Sequence, residues 1–199
     1  MEDTLQPKLA EAKANKRVVY FADAAHFVLG AFVSILWSLH RIFVPTSSGR
    51  QRYNVLGCIN AVTHELVTVC NTSYINALSV IELLEKIYEK HKNDAIPISI
   101  FLDNAKYQRC KIVQNRAIEL GIELVFLPSY SPNLNLIERL WKWIKKDCLN
   151  CKYYETFENF KNAIDNSLNK VNNGLAKKEL DSLLTLNFQL FNNSYCCRV

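Results

Sequence analysis

Two apolar rhythms run along the chain. Short, nearly continuous apolar runs predict strands at 17–23, 97–103 and 122–127, and two β-rich stretches, 53–61 and 65–70, predict a hairpin turning through Thr63 and His64. Elsewhere apolar residues return every third or fourth position, the spacing of one helix face. Over 76–91 that face is Leu78, Ile81, Leu84, Ile87 and Tyr88; over 133–147 it is Leu134, Ile137, Trp141 and Ile144, reaching Cys148; over 156–171 it is Phe157, Phe160, Ile164, Leu168 and Val171. A helix over 108–120 stops at Gly121, a residue suited to the left-handed turn that ends helices. Residues 3–15 read as a short polar helix or linker. The stretch 28–52 has no readable period: it holds Leu36, Trp37 and Phe43, then a polar loop over 46–52.

The order is strand, hairpin, helix, strand, helix, strand, helix, helix. Antiparallel strands come first and alternating strands and helices follow, which predicts an α/β fold with a mixed five-stranded sheet flanked by helices, the layout of an RNase H-like fold. Residues 1–16 are expected to form a linker or short helix, 17–190 one domain, and 191–199 a tail.

Composition narrows the setting. Few Gly and Pro and a near-even share of hydrophobic residues exclude a disordered chain, and 199 residues suffice for one domain with a full core. The seven cysteines and the polar, acidic start with no secretory signal fit a reducing cytoplasm. Cys148 and Cys151 make a CxxC, but no second CxxC or nearby His pair completes a zinc site. The longest apolar stretch, 27–39, is too short to cross a bilayer, so no membrane partner is expected. A net charge of +5 is compatible with nucleic acid and does not by itself demand it.

The chemistry lies in three acids. Asp23 and Asp103 each close an apolar run, and Glu138 sits beside the apolar stripe of its helix. Ligand sites lie outside the carboxyl ends of parallel strands, so the two aspartates can face one cleft with Glu138 leaning over it. Burying such charges is costly unless a cation offsets them. Three carboxylates can hold two Mg²⁺ or Mn²⁺ ions about 4 Å apart, an arrangement suited to in-line phosphodiester displacement. Each acid taken alone has a plainer reading: Asp103 with Asn104 as a turn, Glu138 as an i,i+4 partner of Lys142, Asp23 as a cap.

Leu102-Asp103-Asn104-Ala105 and the long block from Phe126 to Lys142, Phe-Leu-Pro-Ser-Tyr-Ser-Pro-Asn-Leu-Asn-Leu-Ile-Glu-Arg-Leu-Trp-Lys, resemble the second and third catalytic blocks of DDE transposases of the mariner superfamily, in its bacterial insertion-sequence branch. Phe21-Ala22-Asp23-Ala24-Ala25-His26-Phe27 resembles the first block. The resemblance implies an RNase H-like catalytic domain over 17–190, two Mg²⁺ (or Mn²⁺) ions on Asp23, Asp103 and Glu138, and cleavage at terminal inverted repeats followed by strand transfer into target DNA. It also implies a homodimer or larger assembly on DNA in the cytoplasm, at the nucleoid. Many relatives have Pro where this chain has Ser129 and Leu136, His where it has Gln108, and an acid where it has Ala24. Relatives carry an N-terminal helix-turn-helix region of roughly a hundred residues that reads the major groove; here sixteen residues precede the first predicted strand. The alternatives are an RNase H-like nuclease or resolvase, and a truncated, non-catalytic DNA-binding regulator of transposition.

Supporting residues have two readings each. His26 either meets a phosphate or metal-bound water, or is a satisfied structural histidine. Asn104 either orients Asp103 or forms the turn. Arg139, Lys142, Lys145 and Lys146 form either a phosphate-contacting or a merely solvated helix face, and Arg50 and Arg52 are a second candidate DNA contact. Trp141 and Trp143 read as packing residues rather than base-stacking platforms.

Overall fold

The computed structural model describes residues 2–30, 39–40, 43, 51–128 and 134–188. Helix α1 (Glu2–Lys13) leads into β1 (Val18–Val28), β2 (Arg52–Asn60) and β3 (Leu66–Asn71). Then α2 (Ala77–His91), β4 (Ile98–Leu102), α3 (Lys111–Glu119) and β5 (Ile122–Phe126) alternate, and α4 (Leu136–Cys148), α5 (Phe157–Asn172) and α6 (Lys177–Leu183) close the described chain. The strands form one sheet in the order β3-β2-β1-β4-β5. β1 pairs antiparallel with β2 and parallel with β4, and β4 pairs parallel with β5, so the expected mixed five-stranded sheet is present.

Because strand side chains alternate faces, the sheet has two cores. Val19, Phe21, Ala25 and Phe27 of β1 pack with Phe101 of β4 under α1, α4 and α5. Tyr20 and Ala22 pack with Ile98, Ile100 and Leu102 under α2 and α3. The α4 stripe is buried as the period predicts, with Ile137, Leu140 and Ile144 fully enclosed. Leu5, Leu9 and Ala12 of α1 sit in the same core, so this segment takes the helical alternative.

Three local expectations are corrected. β1 does not end at Asp23. Pairing with β4 stops at Phe21↔Phe101, whereas pairing with β2 runs on to Val28↔Arg52, so Asp23 marks the end of the parallel contact within a longer strand. The inner face of α2 is Val80, Leu83, Leu84 and Ile87, while Leu78 is 65% exposed and Tyr88 37% exposed. Asn76 and Ser79 form a capping box that fixes the helix start, and the i, i+3, i+4, i+7 set that follows is the more compact apolar stripe. Helix α3 begins at Lys111 rather than 108, its turn preceded by buried Gln108. Helix α6 has too weak a period to be predicted from the sequence.

Candidate active site

The three acids reach one cleft from three elements. Asp23 stands on β1 opposite Gly57 of β2, two residues past the last β1–β4 pair. Asp103 follows immediately on the end of β4, in step with Phe101, whose side chain lies on the α4 face. Glu138 occupies the first turn of α4, whose stripe packs on that face. Their proximity is electrostatic as well as topological. Burial, then the charge of Glu138 and then that of Asp103, push the Asp23 carboxyl up to about 7 from its ordinary 3.8, against the opposing pull of the Ala24 backbone N–H and the Trp141 indole.

No side-chain cation is seen to offset this charge. Among the described residues, no Lys, Arg or His forms an ion pair with Asp23, Asp103 or Glu138. The expected alternative pairing of Glu138 with Lys142 is therefore not made. Asp23 Oδ2 accepts a hydrogen bond from Trp141 Nε1 at 3.2 Å, and Asp103 Oδ1 accepts a long one from the Ala105 N–H at 3.4 Å. The triad is open: among the described residues, no three His, Cys, Asp or Glu side chains close on a single metal-sized point. Hard oxygen donors, an excess of negative charge and a raised carboxyl are the conditions a divalent Mg²⁺ or Mn²⁺ ion relieves, so the donor set fits such an ion in chemistry. Closure onto it falls to Glu138, a long side chain with no hydrogen-bond partner among the described residues.

Helix α4 is fastened to β1 on either side of Glu138. Asn135, one turn before it, donates from Nδ2 to the Ala22 carbonyl at 3.2 Å, and its buried Oδ1 finds no donor among the described residues. Trp141, one turn after it, is 3% exposed, and its benzo ring packs closely against Gly57. A Cβ at position 57 would meet the indole at 2.5 Å and 2.7 Å, which explains a glycine in the middle of a buried strand where it otherwise weakens the sheet. Trp141 is thus a packing residue, as expected, and also a donor into the site.

The remaining expectations divide. His26 lies three residues beyond Asp23 and so on the opposite sheet face; its Nδ1 is 2.6 Å from Asn54 Oδ1, and Asn54 in turn donates to Asn71 Oδ1 and the Ser73 carbonyl. It belongs to a structural network rather than to the acid cleft. Asn104 donates from Nδ2 to the Leu127 carbonyl at 3.1 Å, tying the exit of β4 to that of β5 and so holding the turn that presents Asp103. The Arg139 guanidinium is engaged within the fold: it donates to the carbonyls of Thr185 (2.7 Å) and Asn187 (3.0 Å) and stacks over Phe188. Phe188 in turn packs on Phe21, two residues before Asp23. Lys142 and Lys146 are exposed and Lys145 half-buried, all without ion pairs among the described residues, and Arg52 is exposed at the start of β2. Arg50 and the loop 129–133, with Ser129, lie outside the described residues.

Sequence reasoning missed Tyr107, Asn135 and Gly57. Burial, then the charges of Asp103 and Asp23, push the Tyr107 phenol up to about 12, which sets it beside the aspartates. Its place four residues after Asp103 is the one available signal. Nothing local marks Gly57, which faces Trp141 across a strand-to-helix contact.

Comparison with known proteins agrees with this fold. Among solved structures, the chain superposes on the Mos1 mariner paired end complex with Mn with a TM-score of 0.65 at 13% identity, covering 96% of this chain and 62% of that one. It superposes on the Mos1 transposase catalytic domain with Raltegravir and Mg with a TM-score of 0.58 at 13% identity, covering 96% of this chain and 94% of that one. It also matches a chain of the simian T-cell lymphotropic virus intasome in complex with PP2A regulatory subunit B56 gamma with a TM-score of 0.50 at 14% identity, covering 78% and 48%. At these identities the likeness speaks for the fold, which is the RNase H-like one expected. The chain spans less than two thirds of the length of the Mos1 chains in DNA-end complexes. No curated protein matches it in sequence. Among the described residues no helix is long and apolar enough to cross a membrane. The family model described as DDE superfamily endonuclease matches residues 18–161, a span that holds all three acids and both ties of α4 to β1. The chain belongs to that family.

Proposed function

We propose that this chain is the catalytic domain of a DDE transposase, which cuts DNA at the terminal inverted repeats of a mobile element and joins the ends to target DNA. The branch is the one of the mariner superfamily that includes bacterial insertion sequences. The observation that carries this reading is the charge balance of the cleft: Glu138 and Asp103 lie near enough for their charges to act on Asp23, with no basic side chain paired to any of the three among the described residues. The Mos1 neighbours, described as complexes with Mn or Mg and as a paired end complex, support the same reading. The catalytic unit is read as 17–190, with 1–16 leading into it and 191–199 as a tail, working as a dimer or larger assembly on two DNA ends in the cytoplasm, at the nucleoid.

Asp23, Asp103 and Glu138 would hold two Mg²⁺ or Mn²⁺ ions, which when bound activate the attacking oxygen and stabilise the leaving one. The chain's own residues supply the rest. Water attacks a phosphorus at the element's end and the P–O3′ bond breaks, which frees a 3′-hydroxyl; that hydroxyl then attacks a target phosphodiester and displaces the target's own 3′-oxygen, and no bond to the protein forms. The strands fix the two aspartates, while Glu138, unpartnered among the described residues, turns inward. Lys142, Lys145 and Lys146, one and two turns beyond Glu138, lie where a phosphate backbone leaving the cleft would pass. Arg52, and Arg50 beside it in sequence, extend the candidate DNA surface.

The test is a strand-transfer assay with end-containing DNA and Mn²⁺. Joined products from the native chain, abolished in Asp103→Asn, support the reading. Cleavage without joining would instead favour a nuclease or resolvase, and cleavage retained by Asp103→Asn would remove the triad from the chemistry.

A further inference from the structure

The cleft contains a feature that metal chemistry does not require. The only side-chain donor to Asp23 among the described residues is the Trp141 indole, and it comes from the helix that carries Glu138. Gly57 and Phe27 contact the ring, and Ile137 and Asn135 fix the helix that carries it. Gly57 opposite Asp23 leaves room for its benzo ring; Ile137 of the same helix stands 3.1 Å from where a Cβ at 57 would be. Phe27 meets it edge-on, with ring centroids 6.5 Å apart at 85°. The Asn135 amide, two turns earlier, holds the start of α4 to the residue before Asp23.

We propose that Trp141 is a positioning residue for the cation site. Its N–H occupies one side of Asp23 Oδ2, which fixes the carboxylate's rotation and leaves the remaining lone pairs for a cation. Its ring, seated on Gly57, sets how far Glu138 stands from Asp23. The inference rests on the proposed two-cation reading and adds a residue that is not itself a ligand. A carboxylate with two rotatable bonds, buried and facing two like charges, turns away from them unless something holds it. An indole N–H is well suited to this role: it donates and cannot accept, so it cannot compete for the cation. A purely structural role for Trp141 needs the ring but not the nitrogen, because the ring alone fills the slot over Gly57.

That difference is testable by Mn²⁺ titration of the native chain, read by the loss of the free-ion paramagnetic resonance signal, alongside thermal unfolding. Trp141→Phe keeps an aromatic ring and removes the donor; benzothienylalanine at 141 keeps the bicyclic shape and replaces N–H by sulfur, and so serves if the phenylalanine variant unfolds. Either should bind Mn²⁺ about tenfold or more weakly, the scale on which partners of metal ligands act. Trp143→Phe is the control: that indole donates to Glu179 at 2.7 Å, away from the cleft, and its loss should leave Mn²⁺ affinity unchanged. If Asp23→Asn abolishes Mn²⁺ binding while the donor-free variants bind as tightly as the native chain, the positioning role is overturned and the cation site stands. If the native chain binds no Mn²⁺, or Asp23→Asn binds as well as native, the two-cation reading falls and the positioning role with it.

Discussion

The two ends of the parallel strands treat acids in opposite ways. At the starting end, Glu123 of β5 is held by Lys8 (2.7 and 2.6 Å), by Arg17 at 3.1 Å, and by the hydroxyl of buried Ser99 at 2.6 Å, while Arg17 also reaches Ser99 and Glu11. At the finishing end, Asp23, Asp103 and Glu138 share a cleft with one indole N–H and a few backbone groups among the described residues. The electrostatic outcomes are opposed. The Glu123 carboxyl is held below the ordinary glutamate range, and that of Asp23 is pushed up to about 7. The same sheet therefore neutralises an acid that fastens α1 to β5 and, among the described residues, brings no cation to the acids of the cleft. On the proposed reading, the end without cationic partners is the one that does the chemistry.

The sharpest way to break that comparison is to remove one acid from each end. Asp103→Asn should lower DNA cleavage at least about a thousandfold, the scale on which loss of one member of a catalytic set acts. Its melting temperature should hold or rise, because a like charge beside Asp23 is gone. Glu123→Gln should leave cleavage unchanged and lower stability by about 1 kcal/mol or less, since half-exposed ion pairs are screened. A Glu123→Gln enzyme with impaired cleavage at unchanged stability would erase the distinction.

Gly57→Ala comes next. The added methyl would overlap the Trp141 ring, at 2.5 Å, and crowd Ile137. Overpacking of this kind costs about 1–3 kcal/mol, read as a fall in melting temperature, and cleavage should drop more than that stability loss accounts for because α4 carries Glu138. An alanine that leaves both untouched would show that the indole can shift without disturbing the cleft.

How much of the molecule is legible in its sequence depends on how far apart the partners lie. The α4 stripe, the β2–β3 hairpin and the parallel partnership of β1 with β4 follow from local period and element order, and they suffice to bring Asp103 and Glu138 within electrostatic reach of Asp23. The length of β1 is not legible, because it depends on β2 continuing to pair after β4 has stopped. Leu78 is apolar and in phase with Ile81, which by period alone turns it inward, whereas the capping box at Asn76 and the neighbouring Val80 and Leu83 decide which side of α2 is buried. Nearness in sequence groups His26 with Asp23, although three residues along a strand reach the other face. Arg139 resembles its lysine neighbours in sequence, and only the fold reveals that the segment 184–188 returns to it across more than forty positions.

Arg139 and Lys142 carry the same contrast onto the surface of one helix. Arg139 is engaged by carbonyls of 183–187, so Arg139→Ala should destabilise the chain by about 1–2 kcal/mol, with the salt dependence of DNA binding unaltered. Lys142 has no ion pair among the described residues. Lys142→Ala should leave the melting temperature in place and lower the slope of log affinity against log salt by about 1, the share of a single phosphate. Equal salt slopes for the two variants would mean that a charge's partner in the fold does not predict its use on DNA.

The smallest effect is one of pH, and its sign follows from the partnered end. Burial tends to raise the Glu123 carboxyl, but hydrogen bonds from Lys8 and Ser99 and the charges of Lys8 and Arg17 outweigh it and bring it below the ordinary 4.5. Between the lowered folded value and 4.5 the unfolded chain binds more protons than the folded one, so this contribution is complete above 4.5 and disappears as pH falls through the folded value. Asp147 behaves with the same sign, because hydrogen bonds from Lys170 and Ser167 overcome its burial. The stability gap between the native chain and Glu123→Gln should therefore be constant near neutral pH and shrink as the solution is acidified below 4.5, while Asp147, present in both, leaves each with some remaining acid sensitivity. Denaturant melts across that range measure the gap directly. A gap that stays fixed down to about pH 2, well below the ordinary carboxylate range, would mean that Lys8, Arg17 and Ser99 do not favour the charged form of Glu123, and the contrast between the two ends of the sheet would lose its better-partnered half.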